Sequence, residues 1–162
     1  MVKPLHDHAH CVQEALSLAE KLCRERGVRL TPLRRRVLEL IWEDHRAVKA
    51  YDLLGRIQPL RSAKPATVYR ALEFLLAQGL IHKLASQNAF IGCGCGDRPH
   101  RVLLLICTGC GKVAELPAPG VMTAVTDALE QVGFLPQQQA IEIAGLCAEC
   151  TKPLATEPSK KR

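Results

Sequence analysis

Two Cys-x-x-Cys pairs constrain this chain more than any other feature: Cys107-Thr108-Gly109-Cys110 and Cys147-Ala148-Glu149-Cys150, with residues 111–146 between them. Each pair presents two thiolates from one tight turn. Four sulfurs gathered at a point satisfy the tetrahedral preference of a closed-shell ion such as zinc. Gly109 and Gly111 relieve backbone crowding beside Cys110, and Gly145 leads into Cys147. The same residues could instead form two unrelated structural or redox pairs. A redox pair is expected where a helix opens after a strand, since the helix dipole lowers a thiol pKa there. Cys107 ends an apolar run and is followed by a short strand-like piece, so that context is missing. The spacing therefore predicts a structural zinc ion that clips together the two ends of the C-terminal half.

The chain carries eight cysteines in 162 residues. No apolar run approaches membrane-spanning length, and Met1-Val2-Lys3-Pro4-Leu5-His6-Asp7 has no secretory apolar core. The expected compartment is the cytoplasm, with no membrane partner, where reduced thiols point to metal rather than disulfides. Hydrophobic content of 48% and charged content of 23% are those of an ordinary globular chain. The net charge of +6 suits a polyanionic partner but is weak evidence alone.

His6, His8 and His10 alternate in a polar leader, 1–10, that reads either as mobile or as an auxiliary metal-capturing tract. A helix is expected over 11–26, with Val12, Ala15, Leu16, Ala19, Leu22 and Cys23 at helical spacing and Gly27 as its stop. Thr31-Pro32 opens a second helix whose apolar face is Val37, Leu40 and Ile41. Arg34, Arg35 and Arg36 near its start form a solvated face or, beside other basic helices, phosphate contacts. A short helix over 50–57 carries Tyr51. The best-defined helix spans 65–78, with Val68, Leu72, Leu75 and Leu76 on one stripe, Arg70 opposite it and Lys64, Ala66 and Thr67 near its outward N-terminal end. Phe74 breaks that stripe. Two strand-like pieces, 80–84 and 88–91, flank a turn at Ser86-Gln87. Helices followed by a hairpin describe a winged helix-turn-helix, in which the last helix enters the major groove and an outward Arg reads guanine.

Gly92 to His100 is hinge-like in composition. Strands are expected over 101–106, 112–116 and 138–143. A helix starts at Pro119, with Val121, Val125, Ala128, Leu129 and Val132 on one face and Gly133 as its end. The tail 151–162 is expected to be disordered and basic. The fold class is α+β: a winged-helix domain over 11–92, a metal-bearing hinge over 93–100 and a small α/β domain over 101–150.

Leu30-Thr31-Pro32-Leu33-Arg34, Lys64-Pro65-Ala66-Thr67-Val68-Tyr69-Arg70-Ala71-Leu72, the wing ending at Cys93 and the two Cys-x-x-Cys pairs together resemble the ferric-uptake-regulator family, and within it the zinc-sensing regulators. The likeness runs from about Val12 to Cys150. It implies a homodimer that binds a double-stranded palindromic operator, with no small-molecule substrate. It implies two Zn²⁺ per subunit: a structural ion on Cys107, Cys110, Cys147 and Cys150, and a regulatory ion on His82, Cys93, His100 and Glu115. Cys95, two residues on, could replace Cys93. Tyr51 and Arg70 match base-reading positions and Tyr69 a neighbouring one; Lys64 and Thr67 complete the expected DNA face. The thiolate at Cys93 softens the site toward zinc, where iron, manganese and peroxide sensors of the family favour His and carboxylate. The resemblance implies a repressor of zinc-uptake genes. A zinc deaminase would need H-x-E followed by P-C-x-x-C, and neither half is present, so no enzyme is expected. The alternatives are another metal- or peroxide-sensing repressor of the same family and, from another class, a thiol-redox zinc protein.

Overall fold

A computed structural model describes residues 8–43, 46–57, 64–94, 102–136 and 140–152. Helix α1 (His8–Glu25) packs on α2 (Pro32–Trp42), followed by β1 (Val48–Lys49), α3 (Ala50–Ile57) and α4 (Pro65–Ala77). Strands β2 (Ile81–Leu84) and β3 (Ala89–Gly92) then form an antiparallel sheet with β1 in the order β1-β3-β2. The C-terminal half is β4 (Val102–Cys107), β5 (Val113–Leu116), α5 (Pro119–Gln131), β6 (Ala140–Gly145) and α6 (Ala148–Thr151), its sheet ordered β5-β4-β6. β4 pairs antiparallel with β5 and parallel with β6, the latter connection passing through α5.

The N-terminal elements form for local reasons. α1 buries Val12, Ala15, Leu16, Ala19 and Cys23, and its end is closed by Val28 N–H donating to Cys23 O at 2.9 Å. It begins at His8, three residues before the expected start, so His8 and His10 belong to its first turn. Thr31 Oγ1 accepts from Arg34 N–H, and Pro32 occupies the first turn of α2, where a missing N–H costs no helical bond. α4 begins the same way at Pro65 and buries Val68, Ala71, Leu72 and Leu75.

Phe74 has a partner: the Arg34 guanidinium lies 3.6 Å from its ring centroid, a cation–π contact joining α2 to α4. The arginine run is engaged within the chain. Arg34 donates to Arg29 O, Arg35 pairs with Glu20 at 3.1 Å, and Arg36 pairs with Glu39 and Glu43.

Two apolar cores result. One joins α1, α2, α3, α4 and the start of the wing. The other puts Leu84 and Ile91 of the wing against Val102, Leu104, Ile106 and Val113 of the C-terminal sheet. The wing is therefore continuous with the second half. Glu142 on β6 strengthens that junction. It accepts from Ala85 N–H, from Ser86 N–H at 3.2 Å and from the Ser86 hydroxyl, all in the β2–β3 turn. Burial pushes the Glu142 carboxyl up, but these donors outweigh it and hold it below the usual value.

The second half departs from expectation at its end, where α6 takes in Thr151 of the expected tail, and in its coverage. The apolar stripe of α5 is not covered: Val121 and Val132 are exposed, Val125 and Leu129 half-buried, and Met122, outside that stripe, is the helix's buried anchor. β6 has no buried residue, and Ile143 and Leu146 are exposed with Phe134 and Leu135. The Glu142 clasp is therefore made from an edge strand whose other face is apolar and open.

Candidate metal centres and nucleic-acid interface

β4 ends at Cys107, and the turn that follows carries Cys110 before β5 begins. β6 runs parallel to β4, with Cys107 opposite Gly145. It therefore delivers Cys147 beside the first turn. Thr108 N–H donates to Gly145 O at 2.8 Å and Cys147 N–H points to Cys107 Sγ at 3.3 Å. A Cβ at Gly109 would lie 3.0 Å from Cys150 Sγ, so a larger residue there would press on the sulfur cluster. All four sulfurs fall within 4.8 Å of one another, and Cys110 and Cys147 Sγ are 3.8 Å apart. A tetrahedron built on Zn–S bonds of about 2.3 Å has edges of about 3.8 Å.

The electrostatics fit the same ion. The amides of Cys147 and Cys110 pull the Cys107 thiol down to about 6, while hydrogen bonds to Cys147 and Cys107 push Cys150 up to about 12. A thiolate is welcomed at Cys107 and opposed at Cys150, an imbalance that a dication relieves. Lys112 Nζ bonds Glu149 at 3.0 Å across the two turns, an exposed pair of small energetic weight.

A second donor cluster sits where the wing meets the C-terminal sheet. His82 comes from β2, Cys93 from the residue after β3 and Glu115 from β5. Their ligand atoms lie within 4.8 Å of one another. His82 Nε2 and Glu115 Oε1 are 2.6 Å apart, with side chains only 13% and 15% exposed, and Cys93 is 3% exposed. Gly94 N–H donates to Glu115 Oε2 at 3.4 Å. One nitrogen, one sulfur and one carboxylate oxygen, shielded from water, suit zinc better than a hard ion. His100 and Cys95 lie outside the described residues. No other group of three or more metal-ligating side chains converges among the described residues.

The expected DNA face is exposed. Tyr51 on α3 is 82% exposed and Tyr69 is open on α4; Arg70 and Lys64 are exposed, and Thr67 is half-buried. Lys64 is the residue preceding α4, and Thr67 N–H donates to its carbonyl at 2.8 Å. The phenols and the Arg70 guanidinium thus project from two helices whose opposite faces are packed in the core.

Two residues escaped the sequence. Glu142 alternates with apolar neighbours on β6 and carries no motif. Trp42 lies against the strand end that holds Cys93. A lone glycine ending a buried apolar strand, as Gly92 does, signals a close approach and could have found it.

The family model for the ferric uptake regulator family matches residues 25–144. The chain is 44% identical to the zinc uptake regulation protein of Escherichia coli K12, over 86% of this chain and 83% of that one. A zinc uptake regulator complexed with zinc and DNA shares 44% identity and a TM-score of 0.82, covering 89% of this chain and 97% of that one. Holo XcZur, at 43% identity over 84% of this chain and 96% of that one, gives a TM-score of 0.79. Apo XcZur, at 40% identity over 88% and 99%, gives 0.52. Winged helix, sulfur cluster and sequence agree: this chain belongs to the ferric uptake regulator family.

Proposed function

We propose that the chain is a zinc-responsive transcriptional repressor: a cytoplasmic homodimer, not an enzyme, that holds two Zn²⁺ per subunit and binds palindromic operators of zinc-uptake genes. The observation that carries this reading is the convergence of His82, Cys93 and Glu115 from the wing on one side and the C-terminal sheet on the other. His100 would complete the set, with Cys95 a substitute for Cys93. Bound zinc would neutralise the Cys93 and Glu115 charges and tie them and His82 to one point.

The protein's own residues translate that tie into DNA binding. His82 belongs to the sheet that carries the wing, and α4 leads directly into that sheet, so fixing His82 against Glu115 fixes Arg70 and Tyr69 relative to the C-terminal half. In a dimer built on the C-terminal halves, that sets the spacing of the two recognition helices, which must be roughly 34–36 Å apart to read successive major grooves. This chain superposes better on holo than on apo XcZur at comparable identity, which supports a metal-dependent arrangement of the two halves. Switching the population from mostly open to mostly closed takes a preference of about 10⁴-fold. Cys107, Cys110, Cys147 and Cys150 would hold the structural ion that keeps β4, β5 and β6 together. The uncovered apolar residues of α5, 134–135 and β6 support a dimer.

The test is DNA binding by the purified protein as free zinc is stepped through a buffered range, with iron and manganese as controls. The duplex is one selected from a random pool at saturating zinc. Binding should rise with zinc alone; equal binding at vanishing free zinc would refute the proposal. Bound zinc and free thiols counted after aerobic purification separate it from a thiol-redox protein, which would yield disulfides and little metal.

A further inference from the structure

We propose that Trp42 is a positioning residue of the regulatory centre, setting Cys93 against His82 and Glu115 by filling the space behind the Cys93 backbone. The proposal rests on the reading of that centre as a metal site. Trp42 is the last residue of α2 and the chain's single tryptophan. Its indole occupies the place where a side chain at 92 would stand. A Cβ built on Gly92 would fall on it, with Cδ2 at 2.8 Å and Cε2 and Nε1 nearer still. Two residues on, a Cβ at Gly94 would lie 3.8 Å from Trp42 Cη2 and 4.0 Å from Glu115 Oε2.

The indole therefore runs along the backbone from Gly92 to Gly94, passing Cys93 between them. Gly94 N–H in turn points to Glu115. Trp42 itself is anchored on the N-terminal core. Beyond Gly92 the strand pairing with β2 ends, apart from Cys93 N–H donating to Leu80 O at 3.0 Å. A cysteine at the end of a strand needs support from behind to hold its sulfur at a fixed point, and a rigid ring supplies it. The same packing places the end of α2, in the DNA-binding half, directly against the metal-bearing segment. Glycine at 92 and tryptophan at 42 are thus one device: the strand gives up a side chain, and the helix fills the vacated space.

The test uses the full-length dimer with its structural zinc retained. Cobalt is added to the regulatory site, and its affinity is measured by chelator competition. Two signals report it: the thiolate-to-cobalt absorption band and quenching of Trp42 emission. In the wild-type chain a second cobalt equivalent should quench that emission. Trp42→Ala should weaken the second equivalent roughly tenfold to a hundredfold, the usual cost of losing support around a ligand, and shift the cobalt spectrum; Trp42→Phe should keep most of the affinity. Gly92→Leu should abolish the site by collision. Trp42→Ala combined with Gly92→Leu, which refills the space from the strand side, should restore both melting temperature and affinity. Wild-type affinity in Trp42→Ala, or a double variant that recovers melting temperature without affinity, would overturn the proposal while leaving the metal centre intact. Absence of any second cobalt equivalent on the wild-type chain would instead remove the centre and the proposal with it.

Discussion

Arg70 and Cys93 differ in how each is proposed to carry function. Arg70 is exposed on α4 while Val68, Ala71 and Leu72 beside it are buried, so Arg70→Ala leaves the core untouched. It should weaken sequence-specific binding by about 1–3 kcal/mol for each bidentate pairing with a base that the guanidinium makes. Anisotropy titrations on selected and random duplexes measure this; unchanged discrimination would remove α4 as the reading helix. Cys93→Ser keeps the side chain's volume but loses the soft donor. It should leave a folded dimer whose DNA binding no longer follows zinc, and a retained response would move the ligand role to Cys95. Cys107→Ser should behave otherwise, because Cys107 ends β4 and is a member of the four-sulfur cluster. That variant should lose its bound zinc and lose solubility or dimerisation, checked by metal content and sedimentation; a stable dimer would contradict a structural role. The sulfur cluster was legible in the sequence because Cys-x-x-Cys encodes its own geometry. His82, Cys93 and Glu115 were not legible from spacing, since three separate segments supply them; only the family resemblance assembled them. Trp42 was hard to read for a related reason: its partner is an absent side chain, and Gly92 is its single hint in the sequence.

At the scale of elements, the helices with chemical punctuation were read closely. Thr31-Pro32 and Lys64-Pro65 fix the starts of α2 and α4, and the stripes behind them are buried except for Leu76, with Leu38 and Ala71 buried besides. β1 could not be read, because two residues, Val48 and Lys49, show no periodicity and exist as a strand only through pairing with β3. β6 was legible as a strand, whereas its grip on the wing was not. Glu142→Gln removes the charge that three donors share, each charge-assisted bond being worth roughly 1.5–3 kcal/mol at most. It should speed hydrogen exchange at Ala85 and Ser86 several-fold without unfolding either half. Because the Glu142 carboxyl is held below its usual value in the folded chain, its contribution is complete above the ordinary Glu range. It is lost as pH falls through the lowered value, when protonation removes the acceptor. Exchange at these two amides that ignored both the substitution and acidification would show that the clasp does not hold the wing.

For the whole molecule, the residues a single chain leaves uncovered matter as much as those it buries. The stripe on α5 was legible as apolar, yet its exposure was not: periodicity marks which face is apolar and is silent on whether the same chain covers it. A second copy is the proposed cover. Ile143→Glu combined with Leu135→Glu should shift sedimentation from dimer to monomer with the winged-helix core still folded, and a persistent dimer would place the interface elsewhere. Zinc-dependent repression requires that the centre at His82, Cys93 and Glu115 and the DNA face on α3 and α4 be coupled through one arrangement of the two halves. Coupling of that kind is reciprocal: whatever factor zinc adds to DNA affinity, DNA must add to zinc affinity. The most direct measurement is the zinc affinity of the regulatory site, by chelator competition, with and without a saturating selected duplex. Coupling predicts tighter zinc binding on DNA by the same factor that zinc tightens DNA. Identical zinc affinity in the two conditions would contradict it.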